Sequence, residues 1–202
     1  MNPTLFPETS AYIAALPDGM DSFAQCEVKG SVVRQLIDGF DRSILHELPE
    51  ASRALIEAPP PVSAWVREVP VNVMLLVTGE HLVRTTGRRD AMNERAYEAS
   101  KQLLSTPLYK ILFLVVSPER LVSGVDRRWN ALRRGTRLEL LSHSPHSAHL
   151  RAHMPEGLYT RGLLELRASS MRAALDCAGG RRSKVTLDAL TKSAVDFMCS
   201  WE

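Results

Sequence analysis

The chain has 202 residues and a formal net charge of +2. Its content of 45% hydrophobic and 24% charged residues is ordinary for a globular protein and excludes an intrinsically disordered chain. No run approaches the ~18 consecutive apolar residues of a membrane span, and the first residues do not form a secretory signal. Three widely spaced cysteines with no C-x-x-C pair argue against a disulfide framework and predict a cytoplasmic protein.

The charge is unevenly distributed along the chain. Residues 1–83 carry a net charge of −6, residues 84–137 carry +7, and residues 138–202 carry +1. Of the 25 basic residues, 20 are Arg, whose planar guanidinium binds carboxylate and phosphate with two parallel hydrogen bonds. We expect the acidic first part to pack on the basic middle, within one chain or in a homodimer.

The first half of the chain predicts helices. Residues 1–21, with three prolines and a glycine, predict an N-terminal arm, and residues 22–202 predict a single domain. Helical spacing appears over residues 30–40, 49–57 and 90–105. The apolar segment from residue 62 predicts a further helix, which Pro70 begins or kinks.

The middle of the chain is the most apolar part. Residues 111–116 are apolar on all sides, so periodicity does not separate a buried helix from a buried strand. We favour a helix over residues 108–116 because Pro107 stands at a first-turn position. Ser117, Pro118 and Glu119 then start a helix that is expected to reach Arg134. Its core-facing stripe consists of Leu121, Val122, Val125, Trp129 and Leu132.

The last third alternates strands with one helix. Residues 136–141 and 148–154 predict a hairpin, residues 154–178 a helix, and residues 184–189 with 194–201 a second hairpin. The apolar faces of the two strands match only if Leu138 and Leu140 lie opposite Leu150, Ala152 or Met154, so that the two residue numbers of each pair sum to an even value. A connecting loop with an odd number of residues, three or five, is therefore predicted. The fold class is therefore α+β, with an N-terminal helical bundle followed by hairpin-helix-hairpin forming an antiparallel four-stranded sheet.

This order of elements resembles a known superfold. It is shared by haem NO-binding (H-NOX) domains, four-vinyl-reductase ligand-binding domains and TRAPP vesicle-tethering subunits, and the chain looks most like a myxobacterial paralogous family of unknown function. The similarity runs from about residue 23 to the end of the chain. The segments that carry it are Lys29-Gly-Ser-Val-Val-Arg-Gln-Leu, Ser117-Pro-Glu-Arg-Leu with Arg128-Trp129, Pro155-Glu-Gly157-Leu-Tyr-Thr-Arg-Gly162, and Cys199-Ser-Trp201.

The resemblance implies a domain that binds a small molecule or a protein partner, often as a dimer, rather than an enzyme. It does not bring haem with it, because haem-binding members need an axial His on a helix and a cationic clamp. The helical regions offer only His46 and His81, neither in a haem motif. We therefore expect no cofactor.

Two sets of residues are candidates for binding. The apolar helices over residues 71–77 and 108–116 are expected to line a ligand cavity or a dimer seam, with plain core packing as the alternative. The candidate lining residues are Met74, Tyr109, Phe113 and Met171. A stripe of Arg120, Arg127 and Arg134 is a candidate anion or partner surface, or else a solvated face. We do not expect nucleic-acid binding, because Trp129 points away from this stripe.

A histidine cluster over residues 143–153 is the candidate metal site. His149 and His153 are separated by ~13 Å on one straight strand and cannot share an ion. His143 and His149 could face each other across the hairpin as two ligands, with His146 in the turn as a third. The alternative is a set of solvent-exposed histidines.

No catalytic motif is present in the sequence. The sequence therefore predicts a non-enzymatic regulatory or scaffold protein that acts through a protein partner or a small ligand. The alternatives are a small-molecule sensor with an apolar cavity and, behind it, a metal-binding protein that uses the histidine hairpin.

Overall fold

The computed structural model describes residues 1–107, 109 and 117–202. Except for Tyr109, the helix predicted over residues 108–116 therefore lies outside the described residues. The α-helices are α1 (Pro7–Ala15), α2 (Gly30–Ile37), α3 (Glu50–Glu57), α4 (Glu68–Thr86), α5 (Ala91–Leu104), α6 (Pro118–Ser123), α7 (Val125–Leu132) and α8 (Arg161–Cys177). Short 3-10 turns lie at Gly19–Asp21 and Arg42–Glu47.

The strands form two antiparallel sheets. The larger has the order β4-β5-β7-β6, and α8 connects its two hairpins, which confirms the predicted α+β class. A small sheet of order β2-β1-β3, absent from the sequence prediction, joins the first half of the chain to the end of α7. The strands are β1 (Glu27–Lys29), β2 (Trp65–Arg67), β3 (Arg133–Arg134), β4 (Arg137–Ser144), β5 (Ser147–His153), β6 (Lys184–Leu190) and β7 (Ala194–Ser200).

The register of the first hairpin follows the apolar faces, but the predicted loop length is wrong. Leu138 pairs with Ala152 and Leu140 with Leu150, as the even-sum rule requires. The turn nevertheless has two residues, and the register shifts by one at Leu141. A β-bulge adds one residue to one strand, so it restores the buried face without lengthening the loop.

The helix predicted from Pro118 to Arg134 is divided in two. The break lies at Gly124, where the guanidinium of Arg128 donates hydrogen bonds of 3.2 Å to the carbonyl oxygens of Arg120 and Leu121. A side chain thus satisfies carbonyls at the end of α6, and the chain turns before α7. The end of the predicted helix instead becomes strand β3.

Residues 1–21 pack on the rest of the domain. Phe6 is fully buried, and the Tyr12 hydroxyl donates a 2.9 Å hydrogen bond to the carbonyl of Leu158. The carboxylate of Glu80 accepts hydrogen bonds from the backbone and hydroxyl of Thr9 at the start of α1.

No helix in residues 1–107 or 117–202 is long and apolar enough to cross a membrane.

On the outer face of the larger sheet, Asp196 holds two basic side chains. Arg151 donates to both oxygens of its carboxylate at 2.6 and 2.7 Å, and His149 Nε2 lies 2.8 Å away. The hydrogen bonds from Arg151 lower the pKa of Asp196 to about 2, against the effect of burial. The folded state therefore favours the charged carboxylate.

We predict that Asp196→Asn lowers the free energy of unfolding by about 1–3 kcal/mol at pH 7, because it removes charge-assisted hydrogen bonds from a buried acid. The folded pKa lies below the unfolded one, so this stability is present above pH ~4 and is lost as the pH falls toward 2. Urea denaturation at several pH values should show the free energies of unfolding of the native protein and of Asp196→Asn converging over that range. Asp188→Asn, at an exposed position on neighbouring β6, is the control and should change little.

We also predict that Gly135→Ala is far more damaging than Gly87→Ala. Both glycines have positive φ, of 73° and 70°. A Cβ at Gly135 would lie 2.8 Å from Cys26 Cα, whereas one at Gly87 meets nothing within 4 Å. The expected losses are about 2–4 and about 1 kcal/mol, measured by urea denaturation. Equal losses would contradict the close approach of Gln25 and Cys26, just before β1, to this turn.

Candidate functional site

A cavity of about 160 Å³ lies between the helices and the larger sheet. Most of its wall is aliphatic or aromatic, and it is formed by α2, α5, α6, α7, α8 and the inner face of the sheet. The apolar lining residues are Val32, Leu36, Ala99, Leu103, Leu104, Leu121, Val122, Val125, Trp129, Leu132, Leu138, Leu150, Met171, Ala174, Leu175 and Cys199. The whole predicted stripe of α6 and α7 belongs to this wall.

The turn at Gly124 gives this wall its shape. Because α6 and α7 are separate helices, both present their apolar residues to the same cavity. The side chain of Trp129 is fixed by a 3.0 Å hydrogen bond from its Nε1 to Thr136 Oγ1. The aromatic ring is thereby held against the start of β4.

A buried ionic cluster adjoins the cavity. Glu68, at the first residue of α4, is fully buried. Its Oε1 accepts hydrogen bonds from Arg133 and from Arg167 Nη2, the latter at 2.9 Å. Arg167 Nη2 also lies 3.4 Å from Asn72 Oδ1, and the amide of Asn72 donates to the carbonyl of Leu158. Both arginines line the cavity, so the cluster forms its polar wall.

Three buried polar atoms of this cluster have no hydrogen-bond partner within the part of the chain that the structure describes. They are Arg167 Nε, Glu68 Oε2 and the hydroxyl of Tyr159. Buried polar groups are nearly always hydrogen-bonded, and an unpaired one costs about 1–3 kcal/mol. All three atoms belong to one cluster, in which Tyr159 lies close enough to Glu68 and Arg167 for hydrogen bonding to affect the pKa values of Tyr159 and Arg167.

The neighbours of these ions are neutral. Burial, and then the charge of Glu68, raise the pKa of Tyr159 well above its usual range. Burial likewise raises the pKa of Tyr12 to about 12 and that of Cys26 to about 11. Burial, followed by the charge of Arg133, lowers the pKa of Arg167. The cluster thus holds two guanidinium groups and a single carboxylate.

The predicted lining residues are divided among several places. Met171 lines the cavity. Met74 is buried in α4 and is not part of this wall, and Tyr109 is buried with its hydroxyl 2.7 Å from Ser31 Oγ. Phe113 lies outside the described residues. Met171 is therefore the candidate that the described structure places in this wall, whereas the stripe of α6 and α7 was predicted to face the core and not to line a cavity.

The predicted arginine stripe does not form. Arg120 and Arg127 are exposed on α6 and α7, on either side of the turn. Arg134 lies on β3, with its guanidinium 3.9 Å from the centre of the Trp65 ring and 3.5 Å from Glu27 Oε2. Residues that are seven positions apart share one face of a helix only if the helix is continuous between them. The break at Gly124 removes that continuity.

The residues of the buried cluster that sequence reasoning did not single out are Glu68 and Arg167. The sequence contained a signal that Arg167 faces the interior. Leu163, Leu164 and Met171 lie three or four residues from it, which places all four side chains on one face of a helix. Arg167 therefore occupies the apolar face of α8, where an unpaired charge is not expected.

The hairpin does not bring His143 and His149 together. After the bulge, His143 pairs with Ala148 and His149 with Ser142, so the two imidazoles point to opposite faces. His149 lies against Asp196, and His153 Nε2 is 3.1 Å from Glu139 Oε2. Within residues 1–107 and 117–202, no group of three His, Cys, Asp or Glu could hold a metal ion.

Among solved structures, the chain is similar to H-NOX proteins. The Fe(II) unliganded H-NOX protein from K. algicida matches with a TM-score of 0.62 at 10% identity, over 86% of this chain and 96% of that one. An oxygen-binding H-NOX domain related to soluble guanylate cyclases matches with a TM-score of 0.54 at 9% identity, over 86% and 92%. No protein-family model and no curated protein matches the sequence. The likeness confirms the predicted H-NOX-type fold, while the finer resemblance to the myxobacterial family stays a prediction.

The residues around the cavity do not fit haem. No histidine is among its described lining residues, and residues 108 and 110–116 contain none in the sequence. The side chain of His46 is 75% exposed, and His81 Nε2 lies 3.0 Å from Asp41 Oδ2. Cys199 does line the cavity, and burial raises the pKa of its thiol to about 12.

We predict that Glu68→Gln lowers the free energy of unfolding by about 3–5 kcal/mol, because it leaves two buried guanidinium groups without a counter-charge. The matched control is Glu27→Gln, which removes an exposed ion pair with Arg134 and should cost at most about 1 kcal/mol. Urea denaturation of both variants measures the difference. Similar losses would mean that the buried cluster adds nothing beyond a surface pair.

Proposed function

We propose that this protein is a small-molecule sensor domain, which acts by binding rather than by catalysis and takes its ligand in the apolar cavity. The observation that carries this proposal is the cavity itself, about 160 Å³ of space with a mainly apolar wall. The space is open on one side, and a concave, mainly apolar wall with a few polar groups is typical of small-molecule sites. The H-NOX-type fold supports the same proposal, since one structural neighbour is described as oxygen-binding.

The size of the cavity limits the ligand. An engineered apolar cavity of about 150 Å³ binds benzene or xenon, whereas drug-sized ligands occupy about 300–1,000 Å³. The ligand of this domain is therefore a compact molecule with a short hydrocarbon part. Dispersion contacts with the aliphatic wall and release of water would supply most of its binding free energy.

Binding is expected to act on α7. Trp129 and Leu132 line the cavity, and the chain continues directly from α7 into β3. A ligand that packs against these two side chains stabilises one position of α7 and, through it, of the exposed Arg134 on the small sheet. The bound state would thereby be recognisable at the protein surface.

The receiver of that signal is proposed to be a protein partner or a second copy of this chain. The proposal includes the regulatory role, the homodimer and the cytoplasmic location that the sequence analysis predicts. Light scattering with and without ligand measures the oligomeric state directly. A strict monomer at high concentration in both conditions would contradict the homodimer and leave the cavity unaffected.

Benzene is a suitable neutral probe of the cavity. We predict that benzene at ten times its Kd raises the free energy of unfolding by about 1.4 kcal/mol, through binding to the folded state alone. Ala174→Leu and Ala99→Leu, each of which adds three carbon atoms at a lining position, one on α8 and one on α5, should abolish this gain. Ala51→Leu, at an exposed position on α3, is the matched control and should keep it.

Denaturation curves with and without benzene give the measurement for each protein. If neither benzene nor a noble gas stabilises the native protein, the cavity is not a binding site and the proposed function is wrong. The same conclusion follows if the two filling variants respond to benzene as the control does.

A further inference from the structure

We infer that the ligand carries a single negative charge, as a short-chain monocarboxylate does, and that Arg167 and Arg133 hold its head group while the apolar wall holds its tail. The inference rests on the proposed function and makes its ligand class specific. It starts from the composition of the cavity wall. The ionisable groups among its described lining residues, other than the thiol of Cys199, are the three arginines Arg128, Arg133 and Arg167. No carboxylate lines this part of the wall.

The positive charge is not balanced by the protein groups around it. Glu68 is the carboxylate bonded to the cluster, and one oxygen of it receives both Arg133 and Arg167. The hydrogen bonds of Arg128 go to backbone carbonyls, which carry no net charge. Burying a charge without a counter-charge is costly, so a monoanion in the cavity would lower the free energy of the whole cluster.

Aromatic rings compensate part of this charge. The guanidinium of Arg133 lies 5.2 Å from the Trp129 ring centre, and that of Arg167 lies 5.2 Å from the ring of Tyr159. A cation–π contact is weaker than the hydration that a guanidinium loses on burial. A counter-anion is still needed after these contacts are counted.

Donors for that anion are already in place. Arg167 is 7% exposed and lines the cavity, and its Nε–H has no hydrogen-bond partner in the described residues. A guanidinium can bind a carboxylate with two parallel N–H···O bonds. A monocarboxylate would balance the net charge of +1 that Glu68, Arg133 and Arg167 carry together, and its alkyl tail matches the apolar remainder of the wall.

Hexanoate and 1-hexanol are the probes, because they share an alkyl chain and differ in the charge of the head group. Isothermal titration calorimetry on the full chain should show hexanoate binding at least about tenfold more tightly than hexanol. Arg167→Met replaces the guanidinium by an apolar side chain, so it should remove the preference while hexanol binding remains. Arg134→Met, which removes an exposed guanidinium on β3, is the matched control and should keep the full preference.

Circular dichroism establishes that each variant is folded. If Arg167→Met does not fold, Arg167→Lys takes its place, and its preference should fall because an ammonium group cannot make the bidentate contact.

The outcomes separate the two proposals. Equal affinity for hexanoate and hexanol in the native protein overturns the anionic head group and leaves the apolar cavity as the binding site. A preference that persists in the Arg167 variant also overturns the inference, because it places the anion elsewhere. If neither probe binds and benzene does not stabilise the protein, the proposed function fails together with the inference.

Discussion

The buried carboxylate of Glu68 is the contact on which the arrangement of this domain depends. It receives Arg133 from a position 65 residues later and Arg167 from a position 99 residues later. Its own backbone N–H donates a 2.9 Å hydrogen bond to the carbonyl of Cys26, next to β1. One residue thus joins the small sheet, the start of α4, the end of α7 and the middle of α8. Because a charge at 0% exposure must be paired, these parts of the chain are constrained to meet at one place.

The cavity adjoins the same contact. Arg133 fixes the end of α7 and Arg167 fixes α8, and the side chains of both helices then face the inner side of the larger sheet. Long guanidinium side chains hold the helices in place from one end, so the aliphatic residues between them need not fill the space completely. The apolar wall and its charged end are therefore parts of one structure.

Local patterns predicted the elements, and long-range contacts decided the details. Period-two alternation identified β5 and β7, and helical spacing identified α2, α3 and α5. The same reasoning could not foresee that the Arg128 side chain would satisfy carbonyls at Gly124, or that a bulge at Leu141 would turn His143 away from His149. A hydrophobic stripe survives such a break because each short helix buries its own part of it, whereas a polar stripe such as the predicted arginines does not.

The likeness to H-NOX proteins concerns the fold, and the side chains at the cavity decide which ligand suits this chain. Burial of Arg167, and of Arg133 beside it, removes two guanidinium groups from water, and one carboxylate is paired with both. Under the proposed function, an anionic ligand would supply a second counter-charge, so its binding free energy would appear as added stability at the junction of α7, α8 and the small sheet. Occupancy of the cavity would then be coupled to this charged junction and, through it, to the surface around β3.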